Sequence, residues 1–227
     1  KAAQEPGGPA IDLPAGPSEA MVAADKSANP IFVASDLLSQ AEHDTLAQVI
    51  CIASDETVAA NISIEVNRQL QSLPRVDIAR EAMANSRMII AKDPINIIND
   101  YAPEHLIVQV ADTDAALAKL KYAGSIFVGA YTPESAGDYA SGTNHVLPTY
   151  GYSKVISSLS LADFSRRFTV QEITRQGLSN LAECICELTD AEGLDGHKRA
   201  VTIRLEQQPI TEKKTIENQA TDQAGAA

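Results

Sequence analysis

Between residues 48 and 129 the chain alternates short apolar runs with segments of helical periodicity, and that alternation restricts the fold more than any other feature. Strand-sized runs fall at 48–53, 88–91, 106–110 and 125–129. Helical patterns fill the intervals at 56–70, 95–101 and 115–122, and Pro74 separates a further helix at 76–83. Short apolar strands between helices predict an α/β fold: a sheet with a parallel component and helices on its faces. Ligands in such folds gather beyond the carboxyl ends of the strands, so those loops are the expected site.

The flanks extend the pattern. Residues 11–13 and 21–24 read as short strands, and Asn29-Pro30 as a helix start with Asn as cap and Pro in the first turn. Phe32, Leu37, Leu38 and Ala41 then give one apolar helix face as far as His43. The stretch 130–151 reads as a long loop rich in Gly, Ser, Thr, Asn and Tyr, a length that is uncommon without a function. After a last strand signal at 169–173, helices are expected at 179–188 and 195–204. The domain expectation is an α/β portion at 1–158, a small helical domain at 159–205 and a disordered tail at 206–227.

Bulk properties narrow the partners. The 227 residues carry a net charge of −12, which argues against nucleic acid or an anionic membrane surface. No apolar run reaches membrane-spanning length. Cys51, Cys184 and Cys186 form no CxxC pair, so neither a disulfide framework nor a cysteine zinc knot is indicated; a reducing, cytoplasmic setting fits, with Cys184 and Cys186 expected as buried apolar residues. The start at Lys1, close to Glu5-Pro6-Gly7-Gly8-Pro9, reads as the middle of a longer protein.

Each of the four histidines lies near a residue able to share a cation or a proton with it. Gln40 and His43 are three apart on an expected helix, so both would project from one face toward one cation, or would simply be solvated at a helix end. Glu104-His105 stands at a loop–strand junction, where one group could move a proton while the other activates water; the alternative is a His that only caps or packs. Asp138 follows Gly137 and suits either a hard oxygen ligand or an Asx-turn. His145 could equally be tied to the loop backbone, and His197, five residues after Glu192, could be an ordinary helical His. Ser18 lies in ordinary Gly-Pro-Ser turn chemistry.

Taken together, four segments closely resemble L-histidinol dehydrogenase: Ala15-Gly16-Pro17-Ser18-Glu19; Asp36-Leu37-Leu38-Ser39-Gln40-Ala41-Glu42-His43; Pro103-Glu104-His105-Leu106; and the sixteen-residue run from Glu134 to Thr149 that contains Gly137-Asp138-Tyr139 and Asn144-His145. The resemblance spans about residues 8–204 and covers the C-terminal half of that family's chain. It implies an incomplete Rossmann-like sheet followed by a small helical C-terminal domain. It also implies zinc- and NAD-dependent oxidation of L-histidinol to L-histidine through the aldehyde.

Carried over by motif, Gln40, His43, Asp138 and His197 resemble the zinc ligands, one zinc per subunit, and Glu104 and His105 the acid–base pair. Ser18, Gln40, His43, His105, Asp138, His145, Glu192 and His197 resemble the substrate contacts. The resemblance further implies a homodimer in which His197 and Glu192 serve the partner's site. Asp44 stands where the family often has Gly, and no GxGxxG occurs here, so no residue is assigned to NAD. A zinc hydrolase with Glu104 as base, and a non-catalytic remnant of the fold, are the competing readings.

Overall fold

The computed structural model describes residues 16–207. The chain divides into two compact units, 1–166 and 167–227. Unit one contains five strands: β1 (Glu19–Ala24), β2 (Gln48–Ala53), β3 (Arg87–Ile90), β4 (His105–Gln109) and β5 (Ser125–Val128). They form one sheet in the order β3-β2-β1-β4-β5, with every adjacent pair parallel. Its helices are α1 (Pro30–Ala41), α2 (Glu56–Leu70), α3 (Val76–Ala84), α4 (Ile95–Tyr101), α5 (Thr113–Leu117) and α6 (Glu134–Tyr139). This is the expected α/β architecture.

Side chains alternate across the pleat, and the two faces of the sheet hold separate cores. Ala20, Val22 and Ala24 of β1, Val49 and Cys51 of β2 and Ile107 of β4 pack with Val33, Leu37 and Leu38 of α1 and Ile62 and Val66 of α2. Met21, Ala23, Ile50, Ile52, Leu106 and Val108 face the other way and pack with Ile98 of α4. Strands buried on both faces explain the unbroken apolar runs. Asn29 caps α1 as expected, accepting the Ile31 N–H at 3.0 Å, and Asp55 caps α2 through Thr57 and Val58.

Some elements differ from expectation. Helix α5 ends at Leu117 rather than continuing to Tyr122. The stretch 130–151, expected as uninterrupted loop, contains α6. Gly137 disguises that helix, because glycine weakens helical propensity. It is there because α6 lies against β5: a Cβ at Gly137 would come within 2.6 Å of Cε1 of Phe127.

In the second unit, residues 169–173 form no strand. Helices α7 (Arg175–Glu192) and α8 (Asp195–Glu206) pack as a pair. The Arg175 guanidinium donates to the carbonyls of Arg204, Leu205 and Gln207, tying the start of α7 to the end of α8. Cys184 is exposed and Cys186 half-buried, against the expectation of burial; Cys51 alone of the three is buried. Residues 11–13 and 208–227, which include a suggested strand and nearly all of the suggested tail, lie outside the described residues. Among the described residues no helix is long and apolar enough to cross a membrane.

Candidate metal and acid–base site

The residues with chemistry gather at the amino edge of the sheet, not at the carboxyl edge where doubly wound folds usually bind ligands. Ser18 immediately precedes β1, Glu104 immediately precedes β4, and His105 is the first residue of β4, in register with Ala20. His43 lies between α1 and β2, again ahead of a strand. The segment after β5, expected from the generic rule for this fold class, still takes part, bringing Asp138 to within 3.7 Å of His105.

Glu104 is buried, and its Oε2 accepts from the Ser18 hydroxyl at 2.7 Å and from the Glu19 N–H at 2.7 Å. Burial pushes its carboxyl up to about 7, although the two hydrogen bonds oppose the rise. Nδ1 of His105 lies 3.0 Å from the Glu19 carbonyl. A carbonyl only accepts, so Nδ1 carries the proton and Nε2 presents a lone pair. That Nε2 is buried without a hydrogen-bond partner, 3.7 Å from Oδ1 of Asp138. Burial lowers the imidazole's proton affinity, which keeps it neutral. The pair is therefore a neutral imidazole with an open nitrogen beside a carboxyl poised near neutrality, with Nδ1 of His105 3.6 Å from Oε2 of Glu104.

Gly124 seats this pair from below. A Cβ there would meet the Glu104 carbonyl oxygen at 2.6 Å and Cβ of Leu147 at 3.2 Å. Backbone cannot yield as a flexible side chain does, so Gly124→Ala should lower unfolding stability by about 1–3 kcal/mol. Denaturant titration checks this, and an unchanged midpoint would contradict it.

Asp138 and His43 come together, and a third group joins them. Ligand atoms of His43, Glu134 and Asp138 all lie within 4.8 Å of one another. Glu134 had drawn no attention in the sequence as a site residue. Its one available signal was its place four residues before Asp138, which α6 turns into a shared face. Glu134 is almost fully buried, Oε2 has no partner, and burial pushes its carboxyl up to about 9. Glu19 was also passed over: its backbone orients both Glu104 and His105, and its Oε1 accepts the Tyr150 N–H at 3.0 Å.

The remaining expected residues are distributed as follows. Gln40 is wholly buried with neither amide atom hydrogen-bonded, whereas His43 lies past the end of α1 and is exposed. Helix α1 stops at Ala41, but a turn carries the chain on, the His43 N–H donating to the Gln40 carbonyl at 3.2 Å. His145 is exposed on the segment after α6. Glu192 ends α7 and His197 stands in the first turn of α8, both exposed and both in the second unit.

Residues 4–205 match the family described as histidinol dehydrogenase. The chain belongs to the histidinol dehydrogenase family. It is 65% identical over 207 residues to histidinol dehydrogenase of Colwellia psychrerythraea strain 34H, covering 90% of this chain and 48% of that one. The enzyme of Haemophilus influenzae strain 86-028NP is 58% identical over 199 residues, covering 86% and 47%. A crystal structure of histidinol dehydrogenase from Elizabethkingia anophelis superposes with a TM-score of 0.84 at 48% identity, covering 86% of this chain and 46% of that chain. The chain thus spans about half the length of these histidinol dehydrogenases.

Proposed function

We propose that this chain carries the metal-binding and proton-transfer part of an enzyme that oxidises L-histidinol to L-histidine through L-histidinaldehyde, with NAD as the hydride acceptor. The observation that carries the reading is the buried, unpartnered Nε2 of His105, 3.7 Å from Asp138, on an imidazole whose Nδ1 lies 3.6 Å from the Glu104 carboxyl. In the first oxidation, hydride leaves the carbinol carbon for NAD while Nε2 of His105 takes the hydroxyl proton. Glu104, ionised, removes a proton from water as that water adds to the aldehyde carbon. In the second oxidation, after His105 has released its first proton to solvent, the hydrate loses hydride to a second NAD and its hydroxyl proton to His105, leaving the carboxylate. A carboxyl near 7 and a neutral imidazole both suit proton transfer at neutral pH.

The donors present fit zinc: imidazole from His43, carboxylate from Asp138, and a Gln40 amide buried with both atoms unsatisfied. When bound, zinc supplies a positive anchor for the imidazole and amine of the substrate. His197, with Glu192 as a substrate contact, completes the site of a partner subunit in the same reading. The second unit supports a homodimer, since Val201 is its only buried apolar side chain among the described residues while Leu181, Leu188, Leu194 and Ile203 are exposed.

Zinc content and mass in solution, measured beside NADH formation, test this reading. The expected result is about one zinc per chain, a dimer, and NADH produced with L-histidine until a chelator removes the metal. Turnover without NAD would point to hydrolysis and overturn the reading. A zinc-free protein that forms no NADH would also overturn it.

A further inference from the structure

Glu19 is the one charged side chain on β1, and the residues that follow it on the strand are all apolar and buried. It is itself 2% exposed. A carboxyl is costly to bury, and this one is only half satisfied, since its Oε2 makes no hydrogen bond. A side chain that served only the sheet would be apolar like its neighbours.

The one hydrogen bond that the carboxylate does make reaches far along the chain. Oε1 accepts the N–H of Tyr150 at 3.0 Å. Tyr150 has a φ of 53°, in the left-handed region that a bulky residue enters only where its surroundings hold it. Its ring lies against Gly16, where any Cβ would collide with it. The turn around Tyr150 is also tied to the segment ahead of Glu104. Oγ of Ser153 lies 3.3 Å and 3.4 Å from the carbonyl oxygens of Pro148 and Pro103, and Nζ of Lys154 donates to the Asp100 carbonyl at 2.7 Å. At Gly151 a Cβ would come within 3.3 Å of the Tyr101 carbonyl oxygen, so the two backbones approach closely. Residues 149–154 thus brace two segments at once: 16–19, which carries Ser18, and 100–104, which ends in Glu104.

We propose that Glu19 is a positioning residue for Glu104: its carboxylate holds Tyr150 in the left-handed turn, and that turn fixes the segment from which Glu104 meets the reacting water. The inference rests on the oxidation proposed above. His105 depends on the brace less. It belongs to β4, paired in register with Ala20, and its Nδ1 is held by the Glu19 carbonyl, which a side-chain substitution leaves in place. Glu104 stands ahead of the strand, where the brace acts.

NADH formation from L-histidinol and from L-histidinaldehyde tests this in the zinc-loaded parent, Glu19→Ala, Glu19→Gln and Glu19→Asp, with zinc content and melting temperature read beside it. Glu19→Gln keeps an oxygen for the Tyr150 N–H but puts its amide nitrogen where Oε2 has no partner, so it should melt lower and keep a near-parental kcat. Glu19→Ala removes the acceptor. Its kcat for the aldehyde should fall roughly 10- to 100-fold, the scale of a small misplacement at a catalytic group. KM and zinc content should hold, and oxidation of L-histidinol should be spared more. A residue of merely structural value would lower the melting temperature and leave the ratio of the two half-reactions unchanged. Parental aldehyde kcat in Glu19→Ala, equal loss of the two half-reactions, or equal loss in Glu19→Gln and Glu19→Ala overturns the assignment while leaving the proposed oxidation standing. If Glu19→Ala does not fold, Glu19→Asp, whose carboxylate falls one methylene short of Tyr150, decides by the same ratio. A parent that forms no NADH overturns the proposed oxidation, and Glu19's part in it.

Discussion

Replacing His105 by Asn should lower kcat by about 10²–10⁴ in both half-reactions, the range over which a positioned general base acts. The side-chain amide can still donate to the Glu19 carbonyl, which holds Nδ1 at 3.0 Å in the parent. It has no basic nitrogen where Nε2 now stands, so proton removal fails while the backbone contact survives. Glu104→Gln should behave differently. It keeps an acceptor for the Ser18 hydroxyl and the Glu19 N–H but cannot take a proton from water. Oxidation of L-histidinol to the aldehyde should be spared more than oxidation of the aldehyde. Because burial holds Glu104 at about 7, the aldehyde half-reaction should rise with pH through neutrality in the parent. That limb should vanish in Glu104→Gln. Steady-state NADH formation from L-histidinol and from L-histidinaldehyde, each followed against pH, reads both effects. Equal loss of the two half-reactions in Glu104→Gln would end the division of labour, and parental turnover in His105→Asn would remove His105 from proton transfer.

How much of this was legible beforehand depends on which physical signal each element carries. Helices α2 and α4 were readable to their ends because Asp55, Pro74 and the residues around Pro94 punctuate an unambiguous apolar period. The strands were readable because burial on both faces leaves apolar residues at every position of β1 and β4 except Glu19, His105 and Gln109. Those exceptions are themselves informative, since Glu19 and His105 belong to the site. The amino-edge location was not readable: parallel strands look the same in sequence whichever edge holds the ligand. Helix α6 was hidden by Gly137, whose role is contact with Phe127, ten residues earlier on β5, rather than local propensity. Glu134 was hidden with it, for without a helix nothing links it to Asp138. His43 was expected on α1 itself, and the helix instead ends at Ala41 with His43 in the turn that follows it.

Thermal stability of the metal-free protein should fall as pH rises from about 6.5 to 9, and zinc should reverse the trend. Unperturbed, these glutamates titrate at 4.5; burial holds Glu104 near 7 and Glu134 near 9, and raises Glu19 as well. A carboxyl whose folded value is raised keeps its proton while the unfolded chain has lost it. Its contribution to stability is complete below 4.5 and disappears as pH climbs to the folded value. At about 1.4 kcal/mol per unit, Glu134 alone removes on the order of 3 kcal/mol between pH 4.5 and 7, and more by pH 9. His105 acts in the opposite sense: its lowered value withdraws stability as pH falls below 6.5, so the decline is cleanest above that point. Metal binding inverts the balance because the positive ion favours ionised carboxylates near it and binds only the folded chain. Melting curves at fixed ionic strength, with zinc and with chelator, display the contrast. Glu134→Gln should flatten the metal-free profile, since its amide has no proton to lose. A metal-free midpoint that stays level or climbs between pH 6.5 and 9 would mean that these carboxyls are solvated or paired in solution, and the buried acidic cluster would then not be the strained, ion-seeking centre that its geometry describes.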